Sequence, residues 1–434
     1  MNYPESVRFL YALGNEIKTA KLGLERVSAL LERLGNPHRS AGFVHVAGTN
    51  GKGSVCAMIE SGLRAAGLRT GLFTSPHLAE PTERIRIDGR PVGADLFAGA
   101  FDRVHAAAEG MLAHGELDLH PTYFETVTAM AFLLFRDLQV DTAVLEVGLG
   151  GRLDATNVVL PVLCVITPVD YDHETFLGKS LESIAAEKAG ILKRGVPVVV
   201  AAQRPDVEAF LEMRAAEAGA PVFRSAGWRA SELELYTRGS RFLADGPLTL
   251  RIECPLAGEH QVANALTAIA ALHALGIQAQ AIEEGLRQAR WPGRLELVAE
   301  RPDIILDGAH NPAGARALAA HIERFYNGRR VWLIYGAMRD KAIAEMTGIL
   351  GPHAHEFVLT APSQSRALRP EAMRALIDHP SIHTANTLPE AFALVRREAG
   401  PEDVVFVTGS LFLVAEARTL VKSMTGYYAI PEFA

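Results

Sequence analysis

A chain of 434 residues exceeds the size at which single hydrophobic cores stop growing, so two domains are expected. Hydrophobic residues make up 49% and charged residues 21%, the balance of a soluble globular protein, and a net charge of −7 gives no electrostatic reason to expect a nucleic-acid partner. Cys56, Cys164 and Cys254 stand far apart in apolar surroundings, which argues against a disulfide framework or a cysteine zinc site. Met1-Asn-Tyr-Pro-Glu-Ser6 lacks the order of a signal peptide, and no apolar run approaches the ~20 residues needed to span a bilayer; a cytoplasmic protein without a membrane partner is expected.

In chain order, the first informative element is Phe43-Val-His-Val-Ala-Gly-Thr-Asn-Gly-Lys-Gly-Ser54, a short β-branched strand, a glycine-rich turn and the start of a helix near Ser54. Such a turn cradles phosphate: Gly48, Gly51 and Gly53 let successive N–H groups face an anion, and the helix start adds its dipole. Lys52 supplies a point charge and Ser54 a hydroxyl for phosphate or magnesium. The pattern is a variant P-loop, since Val46 stands where the first glycine is usual and Gly53 directly follows the lysine. Apolar runs at Phe43–Ala47, Thr70–Thr74, Thr142–Val147, Val162–Thr167 and Val196–Ala201 lack period-two alternation, as strands of a parallel sheet covered on both faces do. Helical spacing between them, as in Val55, Met58, Ile59 and Leu63, makes the fold α/β in βαβ units.

From Pro221 to Pro255 polar and apolar residues alternate around Gly-Ser and Asp-Gly turns, which reads as antiparallel hairpins. A long helix over Gln261–Leu275 and a shorter one ending near Arg290 follow. Trp291-Pro-Gly-Arg294 then breaks the helical pattern, opening a linker over 291–296 between a domain of residues 1–290 and one of 297–434. A second α/β series runs through Asp303–Asp307, Val331–Tyr335, Glu356–Thr360, Ile382–Ala385 and Val404–Thr408. Two wound sheets joined by a hinge suggest a ligand cleft between them.

Chemistry-bearing clusters sit at the predicted strand ends, where open α/β sheets bind their ligands. Thr74-Ser-Pro-His77 and Glu83-Arg-Ile-Arg86 follow the second strand. Glu146-Val-Gly-Leu-Gly-Gly-Arg-Leu-Asp-Ala-Thr-Asn157 follows the third, and Thr167-Pro-Val-Asp-Tyr-Asp-His173 the fourth. Carboxylates plus an imidazole next to a P-loop suit Mg²⁺. Each residue also has a plainer reading: Ser75 a turn start, Glu146 a structural ion pair, His173 a structural histidine, Lys188 a solvated helical lysine and Asn264 an exposed polar residue early in a helix. In Asp307-Gly-Ala-His-Asn-Pro312, Asn311 before Pro312 fits a helix cap whether or not Asp307 and His310 face a ligand.

Taken together, Gly48–Ser54, Thr74–His77, Glu146–Asn157, Asp172-His173, Glu187-Lys-Ala-Gly190, Pro292-Gly-Arg294, Asp307–Pro312 and Thr408-Gly-Ser410 resemble, in order and over nearly the whole chain, the Mur ligase superfamily and within it the folylpolyglutamate synthase and dihydrofolate synthase family. The resemblance implies a P-loop ATPase domain with a mainly parallel sheet and a second, smaller Rossmann-like α/β domain that serves glutamate ligation. It implies ATP-dependent joining of L-glutamate to a pterin-bearing carboxylate, dihydropteroate or a folate, through an acyl phosphate. Carried over, Asn50, Gly51, Lys52, Gly53, Ser54, Asn264, Arg294, Asp307 and His310 bind ATP. Ser75, Glu146 and His173 serve two Mg²⁺ sites, and Lys188 is carbamylated, its new carboxylate positioning the second metal; Lys52, Lys188 and His173 are the catalytic set. Arg294 and Asp307 would couple nucleotide binding to domain closure.

Leu24, Glu25 and Arg26, with Thr122, Tyr123, Phe124 and Glu125 and with Leu153, Asp154 and Ala155, look like the pterin-site segments of the bifunctional bacterial enzymes. Tyr123 and Phe124 are placed either to stack a pterin or to fill core. The bifunctional reading is favoured over a monofunctional folylpolyglutamate synthase, and a monomer is expected. A cell-wall amino-acid ligase of the same superfamily should carry a further N-terminal domain, and a nucleotide switch has no need of Asp307 and His310.

Overall fold

The computed structural model describes residues 1–13 and 23–423 together with the backbone of 428–429. The chain divides into two compact units: Met1–Ser231 with Leu243–Ile252 and Ala263–Ala289, and Glu232–Phe242 with Glu253–Val262 and everything from Arg290 onward.

The first unit is built on strands β1 (Gly42–Ala47), β2 (Thr70–Phe73), β3 (Ile85–Ile87), β4 (Arg90–Pro91), β5 (Thr142–Glu146), β6 (Leu163–Ile166), β7 (Val198–Val200) and β8 (Val222–Arg224). They form one sheet in the order β4-β3-β2-β5-β1-β6-β7-β8. Neighbours from β2 through β8 pair in parallel, and only the β2-β3-β4 edge is antiparallel. The five apolar runs read from the sequence are the five buried strands β1, β2, β5, β6 and β7. Strand β8 differs from expectation: it lies within the Pro221–Pro255 region read as antiparallel hairpins, yet its three residues extend the parallel sheet from β7. At an edge its residues are largely exposed, so the apolar pattern of a buried strand is missing.

Around this sheet one core gathers Phe73, Phe97, Phe101, Phe132 and Phe135 with the helices Ala94–Ala113 and Tyr123–Asp137. Another gathers Ile166, Ile184, Val198 and Leu211. The helix Lys52–Ala65 starts two residues before the predicted position and packs on the helix Ala279–Gln288 at a glycine crossing, where a Cβ on Gly285 would lie 2.3 Å from the Gly62 Cα.

Strands β9 (Arg229–Tyr236), β10 (Gly239–Asp245) and β11 (Thr249–Cys254) form a three-stranded sheet in the order β11-β10-β9. Burial alternates along β11, as the sequence pattern requires. The second unit is built on β12 (Glu296–Glu300), β13 (Asp303–Leu306), β14 (Val331–Tyr335), β15 (Glu356–Leu359), β16 (Ile382–Thr384), β17 (Val404–Thr408) and β18 (Tyr428–Ala429), in the order β16-β15-β14-β17-β13-β12-β18. Strands β13 to β17 pair in parallel, each at a position read from the sequence; β12 and β18 add an antiparallel edge. The fold is thus two α/β units with mainly parallel sheets.

Candidate active site

The loop after β1 is shaped by space. Gly48 has φ +149°, and a Cβ there would lie 1.8 Å from the Thr167 Oγ1 at the end of β6; Gly51 has φ +82°, and a Cβ there would meet the Asn264 Oδ1 at 2.3 Å. No larger residue fits either place without moving its neighbour. Asn264 is buried in the helix Glu259–Ala274 and seats directly on the P-loop, so it is not the exposed polar residue of the plainer reading. Thr49 ties the loop to the next strand end: its hydroxyl donates to the Asp170 carbonyl at 2.9 Å, and the Asp170 N–H donates back to that hydroxyl at 3.0 Å.

Two lysines converge on one acceptor. Lys52 Nζ, at the helix N-terminus, donates to the carbonyls of Gly48 and Thr49 at 3.2 Å each. Lys188 Nζ, from the helix Leu181–Ala189, donates to the same Gly48 carbonyl at 2.8 Å. Lys188 is 4% exposed, so the solvated reading fails. Burial first, and the Lys52 charge second, lower its pKa to about 7, with Asp172 opposing. In the loop after β6, His173 Nε2 stands 3.7 Å from Asp172 Oδ2 at the N-terminus of the short helix Glu174–Leu177.

On the other flank Glu146 ends β5 as a buried carboxylate, and its Oε2 accepts from the Ser75 N–H at 3.0 Å, joining the ends of β5 and β2. Asp154, in the loop after β5, is committed to that loop. Its Oδ2 accepts from the N–H groups of Gly148 and Leu149 at 2.9 Å each, and its Oδ1 accepts from the Thr156 N–H at 3.0 Å and the Thr156 hydroxyl at 2.5 Å. Ala155 and Leu153 flank it, Ala155 buried. Thr156 gives its proton to Asp154, so His45, buried in β1, must donate through Nε2 to that hydroxyl at 2.8 Å.

The segment Thr122–Glu125 opens the helix Tyr123–Asp137 with a capping box: the Glu125 N–H donates to Thr122 Oγ1 at 3.2 Å, and the Thr122 N–H donates to Glu125 Oε2 at 2.8 Å. Arg26 Nε reaches the same Oε2 at 2.8 Å, fixing Leu24–Arg26 to this helix start; Glu25 begins the helix Glu25–Arg33 with Leu24 at its cap. Phe124 is buried and turned inward, so that a Cβ on Gly148 would stand 2.7 Å from its Cζ. Tyr123 stacks on Tyr11 with centroids 5.9 Å apart, and the Arg84 guanidinium lies 4.9 Å from its ring centroid. Arg84 Nε donates to His77 Nδ1 at 2.8 Å, and burial with the Arg84 charge lowers the His77 pKa to about 3, so the ring is neutral. The Tyr11 hydroxyl completes the chain 3.1 Å from His77 Nε2.

In the second unit the loop after β13 is held by Asp307. Its buried carboxylate accepts from the Leu295 and Ala309 N–H groups at 3.0 Å each; burial raises its pKa, and the Arg294 charge and these two bonds draw it back. Arg294 packs over the loop, since a Cβ on Gly308 would meet its Nη1 at 2.1 Å. His310 Nδ1 donates to the Gly308 carbonyl at 2.8 Å, and Asn311 caps the helix Pro312–Tyr326 by accepting from the Gly314 N–H. The Gly409 N–H, after β17, donates to the Ala309 carbonyl at 3.1 Å.

Residues 46–272 match the Mur ligase middle domain, and residues 293–411 match the Mur ligase glutamate ligase domain. The chain is 34% identical over 420 residues to the dihydrofolate synthase/folylpolyglutamate synthase of Bacillus subtilis, covering 93% of this chain and 95% of that protein. The chain belongs to that family of Mur-type ligases. A probable bifunctional folylpolyglutamate synthase/dihydropteroate synthase of Haloferax volcanii is 37% identical over 96% of the chain, which spans only 50% of that protein's length. Among solved structures, folylpolyglutamate synthase of Mycobacterium tuberculosis complexed with ADP and AMPPCP superposes with a TM-score of 0.90 at 32% identity, over 98% of this chain and 100% of that one. The bifunctional enzyme of Yersinia pestis complexed with AMPPNP and Mn ion does so with a TM-score of 0.83 at 34% identity, over 97% and 98%.

For a divalent cation beside the P-loop, this member of the family offers a buried carboxylate on Glu146, the hydroxyl of Ser75 and the imidazole of His173. That donor set is hard enough for Mg²⁺ or Mn²⁺. The lysine pair at Gly48 and the P-loop glycines fit a polyphosphate. Residues the sequence did not single out are Tyr11 and His45. No helix of the described residues is long and apolar enough to cross a membrane.

Proposed function

We propose that this chain joins L-glutamate to dihydropteroate, making dihydrofolate, and extends tetrahydrofolate and folylpolyglutamate, forming ADP. ATP would lie on Asn50, Gly51, Lys52, Gly53, Ser54 and Asn264, with Arg294, Asp307 and His310 of the second unit as further contacts. The pterin end would meet Leu24–Arg26, Thr122–Glu125 and Leu153–Ala155, with Tyr123 as the stacking ring. Functionally the chain then reads as an ATP-binding domain over 1–290, a linker over 291–296 and a glutamate-ligase domain over 297–434, acting as a cytoplasmic monomer.

The observation that carries this reading is the meeting of Lys52 and Lys188 on the Gly48 carbonyl. Phosphoryl transfer needs charge neutralisation and in-line positioning more than covalent help, and Lys52 supplies the charge. With a pKa of about 7, a large share of Lys188 is neutral near physiological pH. A neutral amine attacks carbon dioxide: the nitrogen lone pair forms the C–N bond, a proton leaves, and a carbamate anion replaces a cation crowded against another. Ser75, Glu146, His173 and the carbamate would hold two divalent ions, which offset phosphate charge when bound. The acceptor carboxylate takes the γ-phosphoryl group to become an acyl phosphate; the glutamate amine then attacks the acyl carbon and phosphate leaves.

The test is ADP release with Mg²⁺, ATP and L-glutamate, run in parallel with dihydropteroate and with tetrahydrofolate. Turnover with both acceptors is expected. Turnover with tetrahydrofolate alone leaves a monofunctional folylpolyglutamate synthase, and steady hydrolysis without any acceptor counts against ligation.

A further inference from the structure

We propose that His105, Glu109 and His120 form a zinc site, separate from the nucleotide and folate residues above. His105 and Glu109 lie one turn apart on the helix Ala94–Ala113, and therefore on one face. His120 comes from the segment leading into Thr122. Glu109 Oε1 stands 3.9 Å from His105 Nδ1 and 3.8 Å from His120 Nε2, and the three ligand atoms lie within 4.8 Å of one another.

These separations are too long for hydrogen bonds. Both of those ring nitrogens are buried without a hydrogen-bond partner. His120 Nδ1 lies 2.8 Å from the Pro121 carbonyl, which can only accept, so Nδ1 is the donor there and Nε2 is the ring nitrogen that faces Glu109. Phe101 stacks on His105 at 5.4 Å, and Phe9 contacts His105 at 4.5 Å and His120 at 5.6 Å, so both rings are fixed by an aromatic wall.

Two imidazole nitrogens with one carboxylate oxygen are a borderline donor set that favours Zn²⁺ over Mg²⁺. Donors on one tetrahedral zinc stand roughly 3.3 Å apart, given Zn–N of about 2.0–2.1 Å. Each Glu109–histidine separation must shorten by about half an ångström, which Glu109, with a side chain 55% exposed, is free to do, and the two ring nitrogens, within 4.8 Å of each other, must close on the ion as well. Water would complete the fourth position. A bound ion would tie the segment before Thr122 to the helix Ala94–Ala113, next to the residues proposed for the pterin.

The test uses Zn²⁺ alone, without nucleotide. Protein stripped with a chelator is reloaded, freed of loose metal by gel filtration in excess Mg²⁺, and its zinc counted by mass spectrometry. Wild type is expected to hold one more Zn²⁺ per chain than His120→Ala or Glu109→Ala, with affinity reduced by more than the 10–100-fold typical of losing an outer-shell partner. Cobalt should give visible d–d bands in wild type and not in the variants. Glu109→Ala decides the matter if His120→Ala misfolds, because Glu109 is on the surface. Equal zinc content and equal cobalt spectra would overturn the proposal and leave the cluster as a contact of Glu109 with two imidazoles.

Discussion

The loops after β1 and after β13 solve the same topological problem, a strand end that must hold a shape for a ligand, by opposite means. After β13 a single buried carboxylate, Asp307, takes two backbone N–H groups and so fixes its own loop. After β1 a single backbone carbonyl, that of Gly48, takes two lysine amines. In the first case the charge is stabilised by dipoles that the fold supplies. In the second, two like charges share one acceptor, an arrangement that penalises the doubly protonated form and favours chemistry on one amine. A buried charge satisfied by its own loop is therefore a scaffold, whereas a buried charge crowded by another is a candidate reagent.

Lys188→Ala tests that distinction most sharply. Loss of a charge-positioning group from the reaction centre should lower kcat by about 10²–10³-fold with little change in the ATP KM. The thermal midpoint should hold or rise, because a crowded, buried cation has been removed. Partial rescue by acetate would support the carbamate, and full activity in the alanine variant would sink it.

Next in size is Gly51→Ala, which alters the space of the β1 loop and leaves its charges in place. The positive φ costs about 1–2 kcal/mol, and the new methyl meets the Asn264 amide. The ATP KM should rise strongly. Gly51→Ala combined with Asn264→Ala relieves the collision and not the backbone strain, so the pair should be less than additive in stability. Strict additivity would mean that Asn264 does not press on the loop.

Much of the fold was legible because β1, β2, β5, β6 and β7 of the first sheet and β13, β14, β15 and β17 of the second are short apolar runs, rich in Val, Ile and Leu and largely buried, a pattern that covered parallel sheets require; β16, a partly exposed Ile-His-Thr strand at the sheet edge, lacks that pattern. The strands β3, β4, β8 and β12 toward the sheet edges were not, since two- to five-residue strands that are only partly buried carry no such signature, and the two-residue β18 was not read either. Glycines and lysine marked the P-loop, yet the seat of Lys188 did not show: its helix is rich in small residues, and which side is buried depends on β1 packing beside it. Tyr11, stacked on Tyr123, and His45, bonded to Thr156 from 111 residues away, depend on long-range packing and leave no local trace. Asp154 carried a signal beside its glycine turn, but the four bonds that commit it to the loop are visible only in three dimensions.

On the other side of the comparison, Asp307→Ala should leave the Leu295 and Ala309 N–H groups without their acceptor. The expected cost is about 1–3 kcal/mol of stability per orphaned group, less where water enters. Asp307→Asn keeps one acceptor oxygen and should lie between. Denaturant unfolding read beside the ATP KM separates the roles: a scaffold predicts that both move together across the two variants. A change in KM in Asp307→Asn without loss of stability would give the carboxylate a direct ligand role.

A further expected effect is a pH slope that belongs to Lys188. Its folded pKa, about 7, lies below the ordinary lysine value of 10.5. Between those two values the unfolded chain binds a proton that the folded chain does not, so stability should rise with pH through that window and level off above it. Below pH 7 both states are protonated and the burial penalty is fully present. Subtracting the thermal midpoints of Lys188→Gln from those of wild type at each pH isolates this contribution from the other titrating groups. A flat difference from pH 7 to 10 would mean that the amine stays protonated on the Gly48 carbonyl, and the contrast between the reagent loop and the scaffold loop would then fail at its central residue.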